Sequence, residues 1–368
     1  MSNIRTANAY VPDYLVPPGE VLEEYLGHAG LTQASLAART GLAPKTINEI
    51  IKAKSAITAE TALRLERTLG RPAHFWGNLE RQYQEDKVRL ADKIRLEKNI
   101  PWLGSFPVCE MAKLGWIERL KEKPRQLDAL LRFFAVASPE GWEAIWGRRL
   151  LAAFRKTERS QENIALVSAW LRRGEIVALE QPCRAFDRQK FQNSLAEIRG
   201  LTTAKSPSVF VPRLKSICAA AGIAVVFVDA LPKLGIYGAS RWLGDKYVMQ
   251  LSSYRKSHDQ MWFTVFHEAC HIIHHPRREL YIGMGQTDDE KAKEDEADAF
   301  ARDRLIPPRL LKSFVASLSF PVALNRVKEF AESIGIAPGI VVGRLQHDKI
   351  LPMNVGNGLK FPFSWGEG

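Results

Sequence analysis

The chain has 368 residues, a formal net charge of +11 and a pI near 9.5. Its apolar fraction of 46% and charged fraction of 25% are those of an ordinary globular chain, which excludes disordered, collagenous and repeat-built proteins. Cys109, Cys183, Cys218 and Cys270 are far apart and form no CxxC pair, which excludes a disulfide scaffold and a cysteine-based zinc knuckle.

The longest apolar stretch, Ile217–Val228, is shorter than the ~20 residues a bilayer requires. Met1–Tyr10 lacks the apolar core of a secretory signal, so a cytoplasmic protein with no membrane partner is expected. Positive charge is concentrated in the middle of the chain. Residues 101–215 carry 20 Lys and Arg against 12 Asp and Glu, whereas residues 1–100 carry 14 against 12. A solvated arginine-rich helical surface accounts for that surplus; a face for DNA or an acidic partner is the alternative.

Pro17-Pro18-Gly19 leads into a helical pattern over Glu20–Leu26. Further helices are predicted at Thr32–Thr40, Pro44–Lys52, Thr58–Leu69 and His74–Leu96. From Trp102 to about Pro207 the chain reads as mostly helical, with amphipathic stretches at Leu127–Ala135, Gly141–Phe154, Asn163–Arg173 and Phe186–Arg199. The tryptophans of this region suit a core better than a ligand cage. Ile223–Val228 is then a β-branched apolar run, predicted to be a buried strand. Ile236–Leu243 and Lys246–Ser252 flank Gly244-Asp245, the signature of a hairpin. Long helices follow at Ser257–His275, stopped by Pro276, and at Asp288–Leu305, with one or two small helices after Phe320. The predicted class is mainly α with a small β-sheet (α+β). Residues 1–98 form an all-helical domain, 99–207 a helical connector and 208–368 an α+β domain.

Leu31–Thr58 has helix-turn-helix spacing. Ala37 is small where a second helix must cross close by, and Gly41 sits at a sharp turn that needs positive φ. Ile47 and Ile50 give the following helix an inward apolar edge. Lys45, Thr46 and Asn48 then point away from that edge; Asn pairs with adenine, and Lys with guanine or phosphate. Lys52, Lys54 and Gln33 suit phosphate contacts. PPGEVLEEYL, the Leu31–Thr58 run and FWGNLERQY together resemble the HigA-type antitoxins of the XRE helix-turn-helix family, over Pro17–Gln84. The resemblance implies a homodimeric repressor on double-stranded operator DNA, with a cognate toxin as partner. Ala43 stands where that family usually has a Ser or Thr N-cap, and Pro44 at the first helical position compensates in part.

His267-Glu268-Ala269-Cys270-His271 is an H-E-x-x-H motif inside a predicted helix. Residues i and i+4 share one helix face, so both imidazoles can hold one Zn2+ ion. Glu268 then lies where it can take a proton from water. The third ligand must come from elsewhere. Glu294 and Asp298 share a stripe with Ala297 and Ala301, which makes Glu294 the favoured ligand and Asp298 a group that orients an imidazole. Glu296, His274 and His275 are the other candidates.

The hairpin, the HEACH helix and EDEADAFARDRLIP resemble the ImmA/IrrE metallopeptidases over about Gly222–Pro308. Gly335–Pro352 resembles a tail found in members fused to a helix-turn-helix. The resemblance implies a zincin-like domain with His267, His271 and Glu294 as ligands and Glu268 as general base, acting on a protein substrate. Ala269-Cys270 replaces the common Leu-Gly; Cys270 is either a packing residue or a redox-sensitive spot. Lys246–Ser252 is the candidate edge strand for an extended substrate, and Tyr254 and His258 are candidates to steady the oxyanion.

The expected function is therefore a DNA-binding regulator that carries a zinc-dependent endopeptidase. One alternative is a non-enzymatic antitoxin whose peptidase-like domain binds a toxin or dimerises. Another is a peptidase whose N-terminal module binds protein.

Overall fold

Capping chemistry sets the helix boundaries in the first hundred residues of the computed structural model, which describes residues 15–148, 150, 161–252, 257–275, 280 and 288–362. Helix α1 (Pro18–Ala29) starts on proline and ends at Gly30. Thr32 accepts the Ser35 amide and opens α2 (Gln33–Thr40), which Gly41 ends at φ 66°. Helix α3 (Pro44–Ile51) has proline at its start and no side-chain cap from Ala43. Thr58 caps α4 (Ala59–Leu69), and α5 (Ala73–Lys98) follows. The apolar faces meet in one core of Leu22, Leu36, Ile47, Ile50, Leu65 and Trp76.

This is the first of two units, Met1–Ile100 and Pro101–Gly368. The second begins with α6 (Val108–Lys113) and α7 (Lys123–Phe134). Helix α8 (Pro139–Trp142) runs into a π turn at Glu143–Gly147; part of the stretch expected to continue to Phe154 lies outside the described residues. The aromatic residues here form a core, as expected: the Trp102 and Phe106 rings lie 5.7 and 5.3 Å from Trp142. Helices α9 (Gln161–Glu180), α10 (Arg188–Gly200) and α11 (Pro207–Ala220) follow. Helix α11 goes beyond the sequence prediction, because its apolar end runs directly into the strand pattern at Ile223.

Strands β1 (Ile223–Val228), β2 (Gly238–Leu243) and β3 (Lys246–Ser252) form one sheet in the order β1-β3-β2. The hairpin forms as predicted, with Leu243 opposite Lys246 and Gly238 opposite Leu251. Strand β1 joins β3 in parallel, with Ile223 opposite Tyr247. Lys246–Ser252 is therefore the central strand, not the expected edge. Both of its backbone sides are occupied, and β2 is the edge that the hairpin leaves.

Helices cover both sheet faces, which explains why β1 reads as a continuous apolar run. Side chains alternate across the pleat. Met249 and Leu251 face a core with Trp262 and Phe266 of α12 (His258–His274). Gln250 faces the other way and donates to the Trp170 carbonyl of α9 at 2.7 Å. Helix α13 (Asp288–Leu305) packs on α12, and α14 (Pro308–Ala316), α15 (Leu324–Ser333) and α16 (Pro338–His347) complete the unit. The expected class, mainly helical with a small sheet, is the one the chain adopts. Among the described residues, no helix is long and apolar enough to cross a membrane.

Gly174 marks how closely α9 approaches the sheet, because a Cβ there would lie 1.8 Å from Gln250 Oε1. Gly174→Ala is expected to lower stability by about 1–3 kcal/mol, read as a lower urea midpoint at unchanged m-value.

Candidate functional site

Two i, i+4 pairs on two packed helices build the centre of the second unit. His267 and His271 lie one turn apart on α12; Glu294 and Asp298 lie one turn apart on α13. Ala297 and Ala301 are fully buried between the helices, and their small side chains let α13 come close. Glu294 Oε2 stands 3.1 Å from His267 Nε2, and Glu294 Oε1 stands 3.5 Å from His271 Nε2. The two Nε2 atoms are 3.1 Å apart. One donor atom from each of the three residues lies within 4.8 Å of the others. Two imidazoles and a carboxylate converging on one point are the donor set of a catalytic zinc site, so the residues fit that ion.

The outer ring nitrogens are also engaged. His267 Nδ1 is 2.9 Å from Asp298 Oδ1, the orienting contact expected of that acid. His271 Nδ1 is 2.8 Å from His275 Nδ1, and His275 Nε2 is 3.3 Å from Glu296 Oε2. Glu296 and His275 thus stand behind the His pair and outside the three-residue group. His274 also turns to Glu296, 3.6 Å away. Of Glu294, Glu296, His274 and His275, Glu294 is the one whose carboxylate groups with His267 and His271 among the described residues.

Glu268 is 1% exposed, and its Oε2 has no hydrogen-bond partner among the described residues. Burial pushes its carboxyl up to about 8, against the opposing pull of His267 and the Ser240 hydroxyl. For His267, burial favours the neutral ring, but hydrogen bonds to Asp298 and Glu294 outweigh it and raise the pKa to about 10. His271 is pushed down to about 2 by burial and by the charge of His267, so its ring is neutral, as a ligand must be. The carboxylates thus draw positive charge into the space between the rings.

Strand β2 supplies a wall that the sequence reading missed. A Cβ at Gly238 would lie 2.7 Å from Glu268 Oε1, and Ser240 is buried beside the same carboxyl. The hairpin register carried that signal, because Gly238, Ser240 and Trp242 must share one face. His258 is a correction. It is 1% exposed, with Nε2 accepting from the Trp262 indole at 2.9 Å and standing 3.2 Å from the Ala204 carbonyl oxygen. Its ring belongs to the core, about 13 Å along the helix axis from His267. Tyr254 lies outside the described residues.

In the first unit, Ala37, Ile47 and Ile50 are buried as the helix-turn-helix spacing requires. Lys45, Lys52 and Lys54 are exposed, and Gln33, Thr46 and Asn48 are half-buried. Lys45 Nζ lies 3.8 Å from Glu49, an exposed pair of little energetic weight.

Residues 22–76 match the helix-turn-helix family, and residues 218–320 match the IrrE N-terminal-like domain. Virulence-associated protein I of Dichelobacter nodosus is 40% identical over 86 residues, 23% of this chain and 77% of that protein. An addiction module antidote protein of the HigA family from Coxiella burnetii is 31% identical. It covers 23% of this chain and 91% of its own, at a TM-score of 0.22. The Pseudomonas aeruginosa antitoxin HigA, solved with the higBA promoter, is 30% identical. It covers 23% of this chain and 94% of its own, also at a TM-score of 0.22.

Burial of Glu268 has a sign that can be measured. Its folded pKa of about 8 lies above the ordinary 4.5, so the fold binds a proton that the unfolded chain releases. The resulting stability is present below pH 4.5 and is lost as the pH rises toward about 8. In chelator-treated protein, Glu268→Gln is expected to gain stability over wild type across that window, by on the order of a few kcal/mol. Urea midpoints at several pH values check it.

Proposed function

Because the chain belongs to the XRE-type helix-turn-helix family at its N-terminus and carries an IrrE N-terminal-like domain in its second unit, we propose that it is a DNA-binding transcriptional regulator carrying a zinc-dependent endopeptidase. The convergence of His267, His271 and Glu294 beside the buried Glu268, whose Oε2 has no partner among the described residues, is the observation that carries the hydrolytic half. When bound by those three side chains, zinc supplies Lewis acidity toward a peptide carbonyl and a water acidified to ~7.

The protein's own groups do the rest. Asp298 accepts from the Nδ1–H of His267 and so directs its Nε2 toward Glu294 and His271, where it would hold the ion. Glu268 takes a proton from the water that attacks the carbonyl carbon, then delivers it to the leaving amine as the C–N bond breaks. Its raised pKa suits both steps near neutral pH. An extended protein segment pairs with β2, an edge strand of the sheet among the described residues, which Gly238 and Ser240 bring against Glu268. Gly238, with no side chain of its own, lets Thr264 and Glu268 of α12 pack directly against that strand.

The DNA half rests on the outer face of α3, where Lys45 is exposed and Thr46 and Asn48 are half-buried. Lys45, Thr46 and Asn48 read bases of a double-stranded operator, and Gln33, Lys52 and Lys54 hold phosphates. The protein acts as a cytoplasmic homodimer in this reading, and its protein partner is a substrate repressor or a cognate toxin.

The purified chain is expected to hold one equivalent of zinc, lost in His267→Ala/His271→Ala and kept in Glu268→Gln. Incubated with the proteins encoded beside it, wild type cleaves one and Glu268→Gln cleaves none. Survival of cleavage in that variant removes Glu268 from the mechanism. A zinc-loaded wild type that cleaves none favours the non-enzymatic antitoxin. In a gel shift on its own promoter, Lys45→Ala/Asn48→Ala is expected to weaken binding about 10- to 100-fold. Unchanged affinity sinks the recognition-helix assignment.

A further inference from the structure

Two buried histidines of one helix that share a hydrogen bond between like nitrogens must settle which of them donates. His271 Nδ1 and His275 Nδ1 are 2.8 Å apart, so one carries the proton and the other accepts it. His275 Nε2 in turn lies 3.3 Å from Glu296 Oε2, and a carboxylate only accepts. That end fixes the direction of the whole chain. His275 donates from Nε2 to Glu296, which leaves its Nδ1 bare to accept from His271 Nδ1–H. The Nε2 of His271 is then the ring's accepting nitrogen, and it is the atom that faces His267 Nε2 and Glu294.

We propose that His275, held by Glu296, is a positioning residue for the metal site: it selects the tautomer and ring orientation of His271. This rests on the reading of His267, His271 and Glu294 as ligands. The two imidazoles are thus oriented by different means. His267 is held directly by a carboxylate, Asp298, whereas His271 is held by a carboxylate acting through a second imidazole. Burial explains the difference in design. His271 and His275 are both inside the protein, 1% and 6% exposed, whereas the Glu296 side chain is 52% exposed. The second ring carries the orienting bond inward, while the acid that anchors it stays half in water.

Cobalt(II) is the probe, because its visible absorption reports the donor set while a titration reports affinity. His275→Leu is expected to bind cobalt 10- to 100-fold more weakly than wild type, with the same band at saturation. His275→Asn, whose amide oxygen can stand where Nδ1 stands, is expected to recover affinity to within a few-fold of wild type. Glu296→Ala, a surface change that the fold tolerates, is expected to weaken binding at least threefold and keeps the test open if His275→Leu does not fold. His275→Leu or Glu296→Ala binding within twofold of wild type overturns the proposal. So does an Asn variant no better than Leu, or a saturated spectrum that changes with residue 275, which would make His275 itself a ligand. A wild type that takes up no cobalt overturns the ligand reading, and this one with it; loss confined to the variants separates the two.

Discussion

The close approach of α12 to α13 is the constraint on which the candidate metal site depends. His267, Glu268 and His271 sit on one helix and Glu294 and Asp298 on the other, so the site exists only at the separation those helices keep. Ala297 and Ala301 on α13 and Cys270 on α12 are fully buried, and their small side chains permit that separation. A longer side chain at any of them would push Glu294 outward, and an ångström is enough to spoil a three-way convergence. Cys270 takes its meaning from the same constraint. Burial pushes its thiol up to about 12, so it remains a neutral, compact packing group rather than a reactive thiolate.

Burial then sorts the charges. The two imidazoles share a helix face yet are shifted in opposite directions: burial disfavours the charged His267 ring but its hydrogen bonds to Asp298 and Glu294 outweigh that and raise it, whereas burial and the charge of His267 lower His271. Glu268, beneath them, is taken further out of water than any other acid of the site. A carboxyl held near 8 can both accept and return a proton at neutral pH, which an exposed glutamate does poorly. The same desolvation costs stability once the group ionises, so the site is bought at the expense of the fold around it.

Local chemistry made much of this legible in the sequence. The Gly244-Asp245 turn specified the hairpin, the caps Thr32 and Thr58 specified helix starts, and Ala297 and Ala301 pointed to the stripe that carries Glu294. Strand order was not legible. β3 becomes central only because β1, joined through a parallel pairing, takes its other side, and no local periodicity encodes that partner. His258 failed for a related reason. A histidine at a helix start looks the same whether it faces a cleft or, as here, Trp262 and Phe210. The link from His275 to Glu296 spans two helices and is likewise invisible until they pack.

The face of the sheet opposite the site holds the last piece of the argument. Arg241 is 2% exposed, and it donates to the Leu171 carbonyl at 2.6 Å and to Gln250 Oε1 at 3.2 Å. A buried guanidinium is costly unless its donors find acceptors, and these acceptors lie on the α9 side. Because side chains alternate, holding Arg241 toward α9 forces Ser240 and Gly238 toward α12 and Glu268. A slip of β2 by one residue would strand the arginine against α12 and turn Ser240 away from the acid. The buried cation therefore acts as a register pin. Its worth lies less in stability than in fixing which face of the edge strand meets Glu268.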